Sequence, residues 1–135
     1  MQSRRPDFLP ALAGVSGFCA VALGALGAHA LRADLSARQS LDAWHTASNY
    51  QLAHSIAALV LALLASLLPG SGKALRRISG TWLLGCLLFS GSIYSLALGG
   101  PRWLGPVTPL GGLAFLAGWA GVVWLGFKQA STIRK

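Results

Sequence analysis

The chain has 135 residues, of which 54% are hydrophobic and only 10% are charged. This length suits one domain, residues 1–135, and a soluble fold of that size cannot bury so much apolar surface. The formal net charge is +8, but the basic residues are scattered over the polar segments and form no stripe interleaved with aromatic residues. The composition therefore excludes an ordinary soluble domain and argues against nucleic-acid binding.

Four long segments are almost free of charge, namely 8–31, 50–68, 78–98 and 107–127. Each approaches the roughly 20 residues that a helix needs to cross a hydrocarbon core about 30 Å thick. The first follows two arginines, as a secretory signal would, but it is longer than the usual signal core of about 7 to 15 residues. We expect it to be retained, with cleavage after residues 28–30 as the alternative. The sequence predicts an all-α integral membrane protein, a four-helix bundle.

The basic residues predict an orientation. With four crossings, the N-terminus, the turn at 69–77 and the C-terminal tail share one side of the membrane. That side carries eight basic residues and the other side three. The eight are Arg4, Arg5, Lys73, Arg76, Arg77, Lys128, Arg134 and Lys135, and the three are Arg32, Arg38 and Arg102. The positive-inside rule then places both termini in the cytoplasm of a bacterial inner (plasma) membrane protein.

The connection between the first two spans is longer and more polar than the other connections. Apolar residues recur in it at roughly helical intervals, namely Leu31, Leu35, Leu41 and Trp44. This pattern predicts an interfacial amphipathic helix, with Asp34 or Ser36 as its N-cap. No Gly or Pro interrupts residues 33–68, so the same helix could continue into the second span.

We interpret the tryptophan and cysteine residues as structural. Trp44 and Trp103 are predicted to lie at the outer membrane boundary, and Trp82 and Trp124 nearer the inner one, as aromatic belts. The two cysteines, residues 19 and 86, fall near mid-span without a CxxC spacing. We expect both thiols to pack as small apolar groups.

Two spans carry matching stripes of small residues. The intervals in both are three, four and three: Gly17, Ala20, Gly24 and Gly27 in the first span, and Gly111, Ala114, Gly118 and Gly121 in the fourth. Neither stripe has the spacing of a dinucleotide or phosphate loop. Small residues on one helix face mark places where backbones approach closely in a membrane. The stripes predict a close antiparallel contact between the first and fourth spans, or a homo-oligomeric contact through the same faces.

Hydrogen-bonding side chains gather at the predicted outer ends of the spans: His29, Tyr50, Gln51, His54, Ser90, Ser92, Tyr94 and Thr108. We expect a structural network that pins the helix ends together. The alternatives are a site for a small ligand or lipid, and a metal or haem site with His29 and His54 as ligands. Two imidazoles without a carboxylate or thiolate make an incomplete metal site, and no intramembrane acid could orient a histidine for catalysis. We therefore predict no cofactor and no catalytic set.

Four segments together resemble, in order and spacing, the family called domain of unknown function 423. They are GALGAHAL (24–31), WHTASNYQLAH (44–54), LLFSGSIYSLAL (87–98) and GPVTPLGGLAFLAGW (105–119). This family includes small bacterial inner-membrane proteins and is similar to mammalian transmembrane protein 256. The resemblance implies four membrane helices and no known reaction. The positions matched to the family are Gly24, Gly27, His29, Trp44, Tyr50, Gln51, His54, Ser90, Gly91, Ser92, Tyr94, Thr108, Pro109, Gly111 and Gly112; His45 lies outside the pattern.

These observations predict a non-enzymatic inner-membrane protein, an accessory or assembly partner of a larger membrane complex. The rival hypothesis is a small transporter or binding protein for a polar or lipid ligand, using the histidines, tyrosines and Gln51 of the outer cluster. The expected partners are membrane lipids, other membrane-protein subunits or further copies of the chain, and no nucleic acid.

Overall fold

The computed structural model describes residues 7–68 and 70–133, and every regular element in these ranges is helical. The helices are α1 (Leu9–Ala28), α2 (Arg32–Ala37), α3 (Leu41–Leu67), α4 (Gly72–Gly85), α5 (Gly91–Ala97) and α6 (Val107–Ile133). A π-helical segment, Cys86–Ser90, joins α4 to α5, and a 3-10 turn, Arg102–Leu104, precedes α6.

Four of the described helices are long and apolar enough to cross a membrane. The first span is α1, the second is α3, the third is the continuous helix Gly72–Ala97, and the fourth is α6. The predicted all-α, four-span membrane fold is confirmed. The second and third helices begin before the predicted limits and the fourth ends after them, because the helices continue beyond the apolar runs into polar residues. Arg4, Arg5, Arg134 and Lys135, which entered the orientation argument, lie outside the described residues.

The connection between the first two spans differs from the sequence prediction in its details. Helix α2 is only six residues long, and its N-cap is Leu31 rather than Asp34 or Ser36. It cannot continue into α3 because Gln39 has a φ of 54°, a left-handed conformation that ends the helix without a glycine. The interfacial helix is therefore shorter than predicted, and Trp44 belongs to the second span.

The spans pack in chain order: the first against the second, the second against the third, and the third against the fourth. Each small-residue stripe faces this neighbour in the chain. A Cβ built on Gly17 would lie 3.7 Å from Cβ of Ser55 in α3, and one built on Gly121 would meet Ile78 in α4 at 2.9 Å. The predicted contact between the first and fourth spans is wrong within one chain, and the homo-oligomeric alternative stays a prediction.

Two tryptophans fill the places that the stripe glycines leave open. Trp44 packs over Gly27, where an added Cβ would overlap the indole, and Trp82 packs over Gly118 in the same way. Their indole N–H groups donate to backbone carbonyls of the facing helix, Trp44 to Leu23 at 2.7 Å and Trp82 to Phe115 at 3.2 Å. Both side chains are buried, so neither faces lipid as a residue of an aromatic belt would, and their depth in the membrane stays a prediction. They anchor helix pairs inside the bundle.

In the described part of the chain, two of the larger lateral clefts lie between spans that are not neighbours in the packing order. One lies between α3 and α6 and has a volume of about 890 Å³; we call it the α3–α6 groove. The other lies between α1 and the third span and has a volume of about 560 Å³. At one end of the bundle, Arg76 Nε donates to the Asp7 carboxylate at 2.6 Å and ties the chain just before α1 to α4.

Candidate functional site

The predicted polar cluster is divided among separate contacts in the structure. His29 is exposed and forms the C-cap of α1 through its backbone, and its ring has no hydrogen bond or ring contact among the described residues. His54 lies in the α3–α6 groove. The two histidines do not meet, so the proposed pair of metal or haem ligands has no geometric basis in this chain. No group of three His, Cys, Asp or Glu side chains within residues 7–68 and 70–133 could hold a metal ion.

Gln51 is the centre of the first polar group. Tyr94 donates its hydroxyl to Gln51 Oε1 at 2.9 Å, and Gln51 Nε2 donates to the Ser16 carbonyl at 3.0 Å. Ser55 donates to the Gln51 carbonyl at 2.6 Å and lies 2.7 Å from the Ser16 hydroxyl. One amide therefore connects the first, second and third spans, and both of its ends are used.

Further hydroxyl groups link the third span to the second and the fourth. Ser90 donates to the carbonyl of Ala47 in α3 at 2.8 Å. The hydroxyls of Ser92 and Thr108 lie 2.6 Å apart, between α5 and α6. Ser90 ends the π-helical segment, a distortion of the helix that is frequent at functional sites. These residues hold the spans together as the structural-network hypothesis requires.

His54 uses both of its ring nitrogens. Nδ1 lies 2.7 Å from the Tyr50 carbonyl, and Nε2 lies 3.2 Å from the indole nitrogen of Trp119. A carbonyl only accepts a hydrogen bond and an indole N–H only donates one, so this network assigns a neutral imidazole with its proton on Nδ1. A metal could bind Nε2 only by displacing Trp119, which argues against His54 as a ligand.

Aromatic rings from α3, α6 and the π-helical segment surround His54 and line the α3–α6 groove. The imidazole stacks on Phe115, with ring centroids 3.7 Å apart and an interplanar angle of 16°. Tyr50 lies beside it at 5.9 Å, and Phe89 packs on Tyr50 at 5.2 Å. Tyr50 and Trp119 keep 48% and 49% of their surfaces exposed, so the groove offers aromatic faces to the surrounding lipid.

Sequence reasoning missed several partners of these residues. Ser16 and Ser55 complete the Gln51 network, and Phe115 and Trp119 enclose His54. The sequence does contain a signal for the buried face of the second span. Small and polar residues recur there at intervals of three and four: Ala47, Gln51, Ser55, Ala58, Ala62 and Ala65. The third span carries a similar signal, because its buried residues also recur at intervals of three and four: Leu75, Ser79, Trp82, Cys86 and Ser90. Cys86 is buried with its thiol 3.7 Å from the Gln51 carbonyl, and both cysteines are free.

The comparisons with known proteins point to one family. A model of the family described as "Protein of unknown function (DUF423)" matches residues 23–112. A UPF0382 membrane protein of Haemophilus influenzae is 42% identical over 120 residues, covering 89% of this chain and 94% of its own. The UPF0382 inner membrane protein YgdD of Escherichia coli is 41% identical and covers 84% of each chain. A UPF0382 membrane protein of Schizosaccharomyces pombe is also 41% identical, covering 81% and 92%. No solved structure matches the chain.

Proposed function

The chain belongs to the DUF423 family of membrane proteins, and we propose that it acts without chemistry of its own, as an accessory or assembly partner of a larger membrane complex. In this proposal the four spans form a rigid unit, and their outward faces bind another membrane component. We place the chain in a bacterial inner membrane, because the Escherichia coli relative is named as an inner membrane protein.

One observation carries this proposal: the buried polar side chains are hydrogen-bonded within the bundle. Among the described residues, no buried side-chain nitrogen or oxygen lacks a hydrogen-bond partner. A transporter for a polar ligand needs polar groups that are free to exchange partners along a path, and an enzyme needs an activated nucleophile or a general base. Here Gln51, Tyr94 and His54 are committed to the bundle, which supports a structural use for them.

The α3–α6 groove is the surface that we assign to the partner, because it is concave and exposes aromatic rings. A substitution can fill it without damaging the bundle. A Cβ on Gly112 would have only one neighbour within 4 Å, Cδ2 of Phe89 at 4.0 Å, so Gly112→Leu projects into the groove. Gly126 lies on the same helix with nothing within 4 Å, so Gly126→Leu adds the same volume elsewhere.

The test is mild-detergent purification from native membranes of the wild type, Gly112→Leu and Gly126→Leu. We expect a stoichiometric membrane subunit with the wild type and with Gly126→Leu, and its loss with Gly112→Leu. Retention of the same subunit by all three proteins would exclude the groove as the contact. Absence of any stoichiometric subunit from the wild type would contradict the accessory role itself.

A second candidate function, binding of an amphiphilic lipid-phase molecule, is favoured by the size of the groove. Its volume of about 890 Å³ lies within the range of roughly 300–1,000 Å³ that is typical of small-ligand sites. The Tyr50 hydroxyl and the Asn49 amide belong to residues that line it and could orient a polar end of the molecule. Mass spectrometry of solvent extracts tests this function: a small molecule retained by wild type and by Gly126→Leu, but not by Gly112→Leu, supports it over the accessory role.

The orientation is part of the same proposal, with both termini and Gly70 in the cytoplasm. The test starts from a variant with both cysteines replaced by alanine. In intact cells, a membrane-impermeant thiol reagent should label Arg102→Cys and should label Gly70→Cys only after the membrane is permeabilised. The reverse pattern would mean that the chain is inserted the other way.

A further inference from the structure

A small pocket lies at the end of the bundle where the turn between the second and third spans meets the last part of α6. Its volume is about 340 Å³, and its lining includes Lys73, Arg77, Ile78, Gly121 and Trp124. We propose that this basic pocket binds the phosphate headgroup of an anionic lipid. This inference is independent of the proposed accessory role, because it concerns a different surface and a different ligand.

Within residues 7–68 and 70–133, neither Lys73 nor Arg77 forms an ion pair with an acidic side chain. Lys73 and Arg77 stand four residues apart on α4, so they share one helix face. The intervening neighbour Arg76 is paired with Asp7 at 2.6 Å, and Asp34 is paired with Arg38 at 3.3 Å. The third and last acid of the sequence, Asp42, lies in the first turn of α3, whereas the basic pocket lies beyond the last turn of α3. The positive charge of Lys73 and Arg77 is therefore available to an anionic ligand.

The α6 wall adds an indole to the pocket. Trp124 keeps 58% of its surface exposed, and Lys128 Nζ lies 5.1 Å from the centroid of its ring. Gln129, one residue further along α6, donates to the Ser71 hydroxyl at 3.4 Å. This bond ties the end of α6 to the start of α4 and holds the two walls of the pocket together.

The arrangement of apolar and basic groups favours a lipid over a soluble anion. Lys73 is near the N-terminus of α4, whose first N–H groups have no intrahelical acceptor and favour an anion. Ile78 and Gly121 lie further into the span and give the pocket an apolar floor. A phosphate bound to Lys73 and Arg77 would thus place the acyl chains of the lipid beside Trp124. Basic pockets between spans on the cytoplasmic side are suited to such headgroups, and this step rests on the orientation proposed above.

The experiment measures lipid retention by native mass spectrometry. The wild-type protein is reconstituted in nanodiscs of phosphatidylcholine with phosphatidylglycerol. It is then released from the nanodiscs, and the lipid that stays bound is measured. The test variant is Lys73→Gln/Arg77→Gln. Its matched control is Arg32→Gln/Arg102→Gln, which removes the same charge at the opposite end of the spans. We expect the wild type and the control to retain phosphatidylglycerol in preference to phosphatidylcholine, and the test variant to retain it on the order of tenfold less.

The experiment also includes the single variants and a competition with inorganic phosphate. Each single variant, Lys73→Gln and Arg77→Gln, should show a smaller loss, and thermal unfolding in detergent checks that all variants are folded. Inorganic phosphate at millimolar concentration should not reproduce the retention or displace the lipid. Equal retention by the test variant and the control would overturn the proposal, and so would displacement of the lipid by inorganic phosphate, since the site would then be one for a soluble anion.

Discussion

The indole N–H of Trp119 donates a hydrogen bond to Nε2 of His54 at 3.2 Å, and this bond crosses the α3–α6 groove. The imidazole also stacks on Phe115, so it joins the second span to the fourth by two different contacts. These helices are not neighbours in the packing order of the spans. His54 therefore closes the bundle on the side where the backbones stand apart.

The Trp119–His54 bond can be tested with a substitution that keeps an aromatic ring at position 119. Trp119→Phe deletes the donor and leaves the imidazole nitrogen without its partner, so the free energy of unfolding in a detergent titration should fall by about 1 kcal/mol. Trp124→Phe is the control, because the Trp124 side chain is exposed and its indole N–H donates no hydrogen bond to any residue that the structure describes. Equal stability of the two variants would show that the bond contributes nothing.

The two histidines of the second span should differ in their importance. His54→Ala removes a buried ring with a stacked neighbour and two hydrogen bonds, and we expect it to cost about 2 kcal/mol or more. His45→Ala removes a partly buried ring with no side-chain hydrogen bond among the described residues, and it should change stability by less than about 0.5 kcal/mol. The same order should hold for complementation of a knockout strain. Equal effects of the two substitutions would contradict the role given to His54.

The stripe glycines should not be equivalent. An added Cβ at Gly27 would overlap the indole of Trp44, whereas one at Gly24 would lie 3.7 Å from Ser48 in ordinary contact. Gly27→Ala should therefore destabilise the protein by about 1–3 kcal/mol, and Gly24→Ala should be nearly neutral. Gly14→Ala, with nothing within 4 Å, controls for the change in helix propensity. Thermal unfolding in detergent measures all three, and a uniform response would show that the helix contact is not where the structure puts it.

The ion pair between Asp7 and Arg76 predicts a dependence on pH. The hydrogen bond from the Arg76 guanidinium holds the pKa of Asp7 below its usual value. Since the folded-state pKa is lowered, the pair stabilises the protein above the ordinary aspartate pKa near 3.9 and loses its effect as the pH falls through the lower, folded-state pKa. Both side chains are partly exposed, so the effect should be at most about 1 kcal/mol. Asp7→Asn should remove this acid dependence of thermal unfolding, with Asp42→Asn as the control.

Much of the membrane fold could be predicted because it depends on composition along single segments. A run of apolar residues must form a spanning helix, since backbone groups have no other partner in hydrocarbon. The limits of α2 could not be predicted, because Gln39 adopts a left-handed conformation that is usually signalled by glycine. The turn that contains Gln39 is held by contacts with distant residues, such as the bond from the Ser40 hydroxyl to the Ala97 carbonyl at 3.1 Å.

The candidate site was predicted only in part, because its contacts also join residues that lie far apart in the chain. Four spans, their small-residue faces and the polar residues among them follow from the amino-acid sequence alone. The sequence did not determine which faces meet, because a stripe of glycines allows close approach without specifying a partner. Three relationships become visible only in the folded chain. Gly27 and Gly118 pack against Trp44 and Trp82, Gln51 joins three spans, and His54 bonds to Trp119 rather than to His29. These pairings are set by side-chain shape and hydrogen bonds between residues far apart in the chain, which no local pattern contains.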